Sequence, residues 1–80
     1  MADNLLKDML SPRVQLWGQN LAVIEGFKTI KRFEREIIVL GCKKYDILLS
    51  GFDMELREKS RGYIEVRGTI LSVDVEANHD

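Results

Sequence analysis

Few residues of this chain have the chemistry of a catalytic site, and their spacing brings none of them together. The one histidine, His79, is followed only by Asp80. We expect this histidine to lie in a terminal tail. A catalytic triad needs its histidine in an ordered setting, so His79 is not expected to belong to one. The one cysteine, Cys42, precedes Lys43 and Lys44, which could lower its thiol pKa. A turn cysteine with no base or metal partner is more often inert.

Acidic residues are scattered rather than grouped, which bears on metal binding and on carboxylate chemistry. Asp74 and Glu76 share one face of a predicted strand, an arrangement typical of a solvated surface, and no cluster of Cys and His ligands accompanies them. A chain of 80 residues also leaves little room for a catalytic cleft. We therefore predict a protein that is not an enzyme, with no catalytic residues, cofactor or metal ion.

Length, charge and cysteine content indicate one small domain, residues 1–80, in a reducing compartment. The net charge of −1 argues against general binding to polyanions. A single cysteine leaves no internal disulfide, and the first ten residues carry acids where a signal peptide needs bases. No apolar run approaches the roughly 20 residues of a membrane span. We expect a cytoplasmic protein that reaches a membrane only through a partner.

Strand-like alternation dominates the chain from residue 13 to residue 76. Apolar residues alternate with polar ones in residues 62–76, and the phase flips at Ile70 and Leu71, so we expect two short strands with a bent junction near Gly68. Gly51 is predicted to end a strand, and residues 57–62 to form a polar hairpin loop. The predicted fold is mainly β, a small antiparallel meander curled into a sandwich, roll or barrel, followed by a tail at 77–80.

Two segments add to this pattern. Residues 2–10 place Leu5, Leu6, Met9 and Leu10 on one stripe of a short helix. Residues 28–36 are ambiguous, and we favour a strand over 29–33. Residues 37–40 are apolar at every position, so both faces of that strand need cover, either from a curled sheet with the helix as a lid or from a second chain.

A basic and aromatic stretch, residues 27–35, supplies five of the six candidate contacts with a partner, and Trp17 is the sixth. Trp17 is interpreted as a core residue, and an exposed binding anchor is the alternative. The same stretch also fits a second hypothesis, a small β-barrel that binds single-stranded nucleic acid, which the net charge disfavours. The candidate contact residues are Trp17, Phe27, Lys31, Arg32, Phe33 and Arg35.

Four segments resemble, in order and spacing, the YabP/YqfC family of bacterial sporulation proteins, nearer the YqfC branch. Residues 11–18 are similar to its proline, basic residue, alternating strand and glycine, and residues 24–30 to its Ile-Glu segment. Residues 45–56 and 64–73 are similar to two glycine-containing strand motifs, the second more closely.

The resemblance implies a non-enzymatic protein of the mother cell in an endospore-forming bacterium. It implies a structural or interaction role, through self-association as a homo-oligomer or through a membrane-linked sporulation partner of the YqfD type. The family offers no active residues to carry over to this chain.

Overall fold

A computed structural model describes residues 12–78, which form six β-strands and no helix. The strands are β1 Arg13–Trp17, β2 Leu21–Glu25, β3 Thr29–Phe33, β4 Ile37–Gly41, β5 Tyr45–Ser60 and β6 Tyr63–Ala77. They form one antiparallel sheet in the order β1-β2-β6-β5-β4-β3, with β1 and β3 as its edges.

The mainly β, antiparallel prediction is therefore confirmed, including the strand over residues 29–33. The sheet is not a closed barrel, and it is not a simple meander, because β2 pairs with β6. The predicted helix over residues 2–10 lies outside the described residues.

The long hairpin of β5 and β6 must be folded over on itself. β2 ends at Glu25, which is paired with Tyr63 at the tip of this hairpin. β3 begins at Thr29, whose neighbour Gly41 is paired with Asp46 at the base of the hairpin. The intervening residues 26–28 reach at most about 14 Å, whereas a straight strand of 16 residues is about 50 Å long. The longest dimension of the molecule, 41 Å, agrees with a bent hairpin.

Each of the two long strands carries a bulge at the bend. In β5, Asp53 and Met54 together face Gly68, and in β6 Leu71 is the extra residue between Ile70 and Ser72. A bulge adds one unpaired residue and bends the strand that contains it.

The predicted break at Gly51 is wrong, since β5 continues through it, and the bend near Gly68 lies within a continuous β6. The hairpin loop is shorter than predicted, because β5 runs on to Ser60.

Two glycines allow the strands to approach closely at the bend. A Cβ added at Gly51 would overlap the carbonyl oxygen of Thr69, and one at Gly68 would lie 2.5 Å from the carbonyl oxygen of Asp53. Gly68 also has a φ of 141°, and Asp53 a φ of 52°. Asp tolerates the left-handed region better than most residues, so the local sequence suits this crossing.

The hairpins β1–β2 and β3–β4 attach to the bend in the same way. In each case the turn of the short hairpin accepts two backbone hydrogen bonds from a long strand, which extends the sheet across the bend. For the first hairpin they run from Gly68 N to Asn20 O at 3.3 Å and from Ile70 N to Gln19 O at 2.7 Å. For the second they run from Gly51 N to Glu36 O at 3.1 Å and from Met54 N to Arg35 O at 2.9 Å.

One hydrophobic core draws on both halves of the folded sheet. β2 contributes Ala22 and Ile24, β4 contributes Ile38 and Leu40, and Met54 packs at the bend, all fully buried. The remaining core members are Phe27, Cys42, Ile47, Leu49, Ile64, Val66 and Ile70. Since β2 and β4 are separated by β6 and β5 in the sheet order, their meeting in one core reflects the fold of the hairpin.

Candidate interaction surface

The six residues predicted to contact a partner fall into different environments. Trp17 has 53% of its surface exposed, so its assignment to the core is wrong. Phe27 is only 8% exposed and belongs to the core, which leaves it no side-chain surface for a partner. Lys31, Arg32, Phe33 and Arg35 are all exposed, and their role as contacts stays a prediction.

Trp17 lies beside the bend of the long hairpin. It is paired with Leu21, which is paired in turn with Arg67, the residue before Gly68. In the turn that follows Trp17, the backbone carbonyl oxygens of Asn20 and Gln19 accept hydrogen bonds from Gly68 N and Ile70 N. The backbone next to Trp17 is thereby attached to the bend. The side chain of Asn20 strengthens this attachment by donating from Nδ2 to the Gly68 carbonyl oxygen at 3.2 Å.

Two further apolar residues at the bend are exposed, and neither is among the six predicted contacts. Phe52 is paired with Thr69, and Leu71 is the bulged residue two positions further along β6. Each has 57% of its surface exposed. Trp17, Phe52 and Leu71 thus follow the line of the bend, and we call them the bend surface. A large apolar residue that a bulge removes from the inward alternation is a site where a partner can contribute burial.

The phase flip at Ile70 and Leu71 was the sequence signal for one of these positions. It predicted a bent junction near Gly68, and the structure places the extra residue of β6 at Leu71. The spacing of Phe52, Met54 and Leu56 in the sequence is that of one face of a regular strand, but the structure separates Phe52 from Met54, because the bulge at Asp53 and Met54 changes the register. Met54 is fully buried and Phe52 is not.

Two of the bases in the stretch from Phe27 to Arg35 are paired with carboxylates. Lys31 Nζ lies 3.0 Å from Asp46 Oδ2, and Arg32 Nε lies 2.9 Å from Glu34 Oε2. With Phe27 buried, the stretch presents one aromatic ring, that of Phe33, instead of the two interleaved with bases in the sequence. These contacts add no support to the hypothesis of nucleic-acid binding, and we do not propose it.

A polar cluster fixes the base of the hairpin beside Cys42. Asn78 donates from Nδ2 to Asp46 Oδ1 at 3.0 Å and to the Cys42 carbonyl oxygen at 3.2 Å. The bonds from Asn78 and from Lys31 hold the pKa of Asp46 below its usual value. Because these groups connect the end of β6 with β3 and with the loop before β5, we interpret the cluster as a structural clamp.

Cys42 has the environment of an inert thiol. Burial raises its pKa first, the negative charge of Asp46 raises it further, and Lys31 acts in the opposite direction. The possible lowering of this pKa by Lys43 and Lys44 is not seen, because the net shift is upward. Elsewhere in residues 12–78, no group of three or more Cys, His, Asp or Glu side chains is placed to hold a metal ion.

Comparisons with known proteins find no match to this chain, whether among family models, curated proteins or solved structures. The relation to the YabP/YqfC family therefore stays a prediction from the sequence. Within the described part of the chain, no helix is long and apolar enough to cross a membrane.

Proposed function

We propose that this chain is a non-enzymatic protein-interaction module that binds its partner through the bend surface. The observation that carries the proposal is the exposure of Trp17, Phe52 and Leu71 along one structural feature, the bend of the β5–β6 hairpin. Aromatic side chains are enriched at interfaces, because they bury a large area with few rotatable bonds. All three residues belong to paired strands that meet at the bend, so their backbone positions are set before a partner arrives, which lowers the entropic cost of binding.

The first partner to test is a second copy of the chain. A surface with three large apolar side chains is small, so we expect association that depends on concentration rather than a permanent dimer. Arg35 is also exposed, and its carbonyl oxygen accepts a hydrogen bond from Met54 N at the bend, so this candidate contact lies in a turn attached to the bend. The resemblance to the YabP/YqfC family extends the proposal to a role in the mother cell cytoplasm during sporulation. There the alternative partner is a membrane-linked protein of the YqfD type.

Light scattering over a concentration series tests this proposal. The variant that replaces both Phe52→Ser and Leu71→Ser removes two of the three apolar side chains of the bend surface. Val75→Ser is the matched control, because Val75 is 65% exposed but lies towards the end of β6, away from the bend. We expect the wild type and the control to rise above the monomer mass of 9.2 kDa together, while the double variant stays at it.

A wild type that stays monomeric would contradict self-association. The same three proteins would then be compared for co-purification with a membrane-linked protein of the YqfD type. Equal binding by the wild type and by the double variant would contradict the bend surface as the contact.

A further inference from the structure

The folded sheet has an outer side opposite its core, and the two halves of that side differ in composition. On the half formed with β1 and β2, one row of opposed residues contains Gln15, Val23, Glu65 and Arg57 in that order. Directly opposed residues on neighbouring strands point to the same side of a sheet. The one apolar residue of this row, Val23, is only 6% exposed, so this half presents a polar surface to solvent.

The half of the outer side that is formed with β3 and β4 is apolar. Side chains alternate between the two sides of a strand, and the core residues of β4 and β5 take the inner side. Their neighbours therefore point outwards, and the bulge in β5 begins only after Phe52. We call these outward residues the outer face: Ile37, Val39, Leu48 and Phe52. The first three are half-buried, and Phe52 is exposed.

One row across the outer face carries opposite charges at its two ends. It contains Arg32, Val39, Leu48 and Asp74, in that order, on β3, β4, β5 and β6. Arg32 and Asp74 are both exposed. Three inter-strand spacings separate them, about 14 Å in total, which is too far for an ion pair within one chain. The row thus reads base, apolar, apolar, acid, and it is complementary to its own reverse.

We propose that a second copy of the chain packs on the outer face through a two-fold axis that runs roughly along the strands, between β4 and β5. Rotation about this axis exchanges β4 with β5 and β3 with β6, so the row meets its own reverse. Val39 then lies against Leu48 of the second copy, and Arg32 lies against Asp74 of the second copy. A two-fold interface makes each contact twice, which gives two ion pairs around an apolar centre.

The side chains on this face leave room for a facing sheet. A Cβ added at Gly41 would lie 2.9 Å from Lys31 Cε, so the lysine stem crosses β4 close to the backbone on its way to Asp46. Because the stem lies along the sheet, it does not block a second sheet at the usual spacing of about 10 Å. Arg32 binds Glu34 through Nε and Nη2, and a guanidinium has five N–H donors, so its Nη1 side can bind a second carboxylate.

The size of the outer face agrees with weak association. Four strands and about five residues along each give a patch of about 19 Å by 17 Å, or roughly 320 Å². A standard interface buries about 800 Å² on each partner, so we expect the dimer only at high concentration. The inference rests on the proposed function, because Phe52 belongs both to the bend surface and to the outer face. It adds the geometry and the charges that select a second copy.

Sedimentation velocity of charge-reversed variants tests this arrangement. Arg32→Glu and Asp74→Arg each place like charges at both ends of the two-fold interface, and each should weaken self-association by about tenfold or more. An equal mixture of the two variants should regain the wild-type association, since a dimer with one copy of each restores two pairs of opposite charge. Arg61→Glu is the matched control, a charge reversal at the exposed hairpin tip, and it should associate like the wild type.

Circular dichroism checks that each variant is folded, and a chain with both Arg32→Glu and Asp74→Arg should also associate like the wild type. A mixture that stays monomeric while the wild type associates would overturn the inference and leave the bend surface as the contact. A wild type that stays monomeric would also overturn it, and the bend surface would then be judged by its binding to the membrane-linked protein alone. Rescue in the mixture, together with unchanged association of the variant with Phe52→Ser and Leu71→Ser, would support the outer face and contradict the bend surface.

Discussion

Replacing Gly51 with alanine should destabilise the fold strongly, because the added methyl group would meet backbone atoms of the paired strand. The added Cβ would overlap the Thr69 carbonyl oxygen and would lie 2.9 Å from the Thr69 carbonyl carbon. Both are backbone atoms of the paired strand, so no flexible side chain can move aside. To relieve the overlap, β5 and β6 must separate at the bend, which also strains the bonds from Gly51 and Met54 to the turn of the β3–β4 hairpin.

The size of this effect follows from those contacts. Overpacking against a rigid neighbour costs about 1–3 kcal/mol, and each weakened backbone hydrogen bond adds about 0.5–1.5 kcal/mol. With two such bonds the total of about 2–6 kcal/mol is a large part of the roughly 4–12 kcal/mol expected for a domain of this size. At about 4–8 °C for each kcal/mol, the midpoint of thermal unfolding should fall by about 10 °C or more.

Gly18→Ala is the control. Gly18 has a φ of 58°, and an added Cβ there meets no atom within 4 Å. The control therefore carries only the cost of a left-handed alanine, about 1 kcal/mol. Thermal unfolding of the wild type and of the two variants, followed by circular dichroism, compares them. If Gly51→Ala unfolds within a few degrees of Gly18→Ala, the close crossing of the strands at the bend is refuted.

Three further predictions concern the core and the clamp. Leu49→Ala removes a fully buried side chain and should lower the free energy of unfolding by about 2–5 kcal/mol in a urea titration; a loss below about 1 kcal/mol would contradict its place in the core. Because the pKa of Asp46 is lower in the folded protein than in the unfolded chain, its contribution to stability is present above its ordinary pKa of 3.8 and is lost as the pH falls through the lower folded value. The midpoints of wild type and Asp46→Asn should therefore differ at neutral pH and converge in acid, and a difference that is independent of pH would count against the clamp. Burial and the raised pKa of Cys42 predict slow labelling by a thiol reagent in the folded protein and rapid labelling in denaturant, whereas fast labelling of the folded protein would show an open loop.

Local patterns in the sequence were enough to predict β structure in the region of the four short strands. Alternation predicted it over residues 13–76, the apolar run at 37–40 corresponds to β4, and the strand over residues 29–33 is confirmed as β3. The phase flip also predicted a bend near Gly68. These features depend on neighbouring residues, which is why one sequence sufficed for them.

The long-range features could not be predicted in the same way. Gly51 looks like a strand end, and only the pairing of β5 with β6 shows that the strand continues through a close crossing. The exposure of Trp17 and the burial of Phe27 likewise depend on how the hairpin folds over. Phe27 lies in the short connection that links the hairpin tip to its base, and that connection forces its side chain into the core. The positions of Phe52 and Leu71 follow from two bulges whose locations are set by the partner strand.

The central claim is that the bend surface is the contact with a partner. Amide resonances of the isotope-labelled chain, compared between dilute and concentrated samples, test it residue by residue. We expect the shift changes to concentrate near Trp17, Phe52 and Leu71 and in the turn at residues 34–36. Changes confined to the backbone of the edge strands β1 and β3 would contradict it, because they would assign self-association to strand pairing at the sheet edges instead of to the bend.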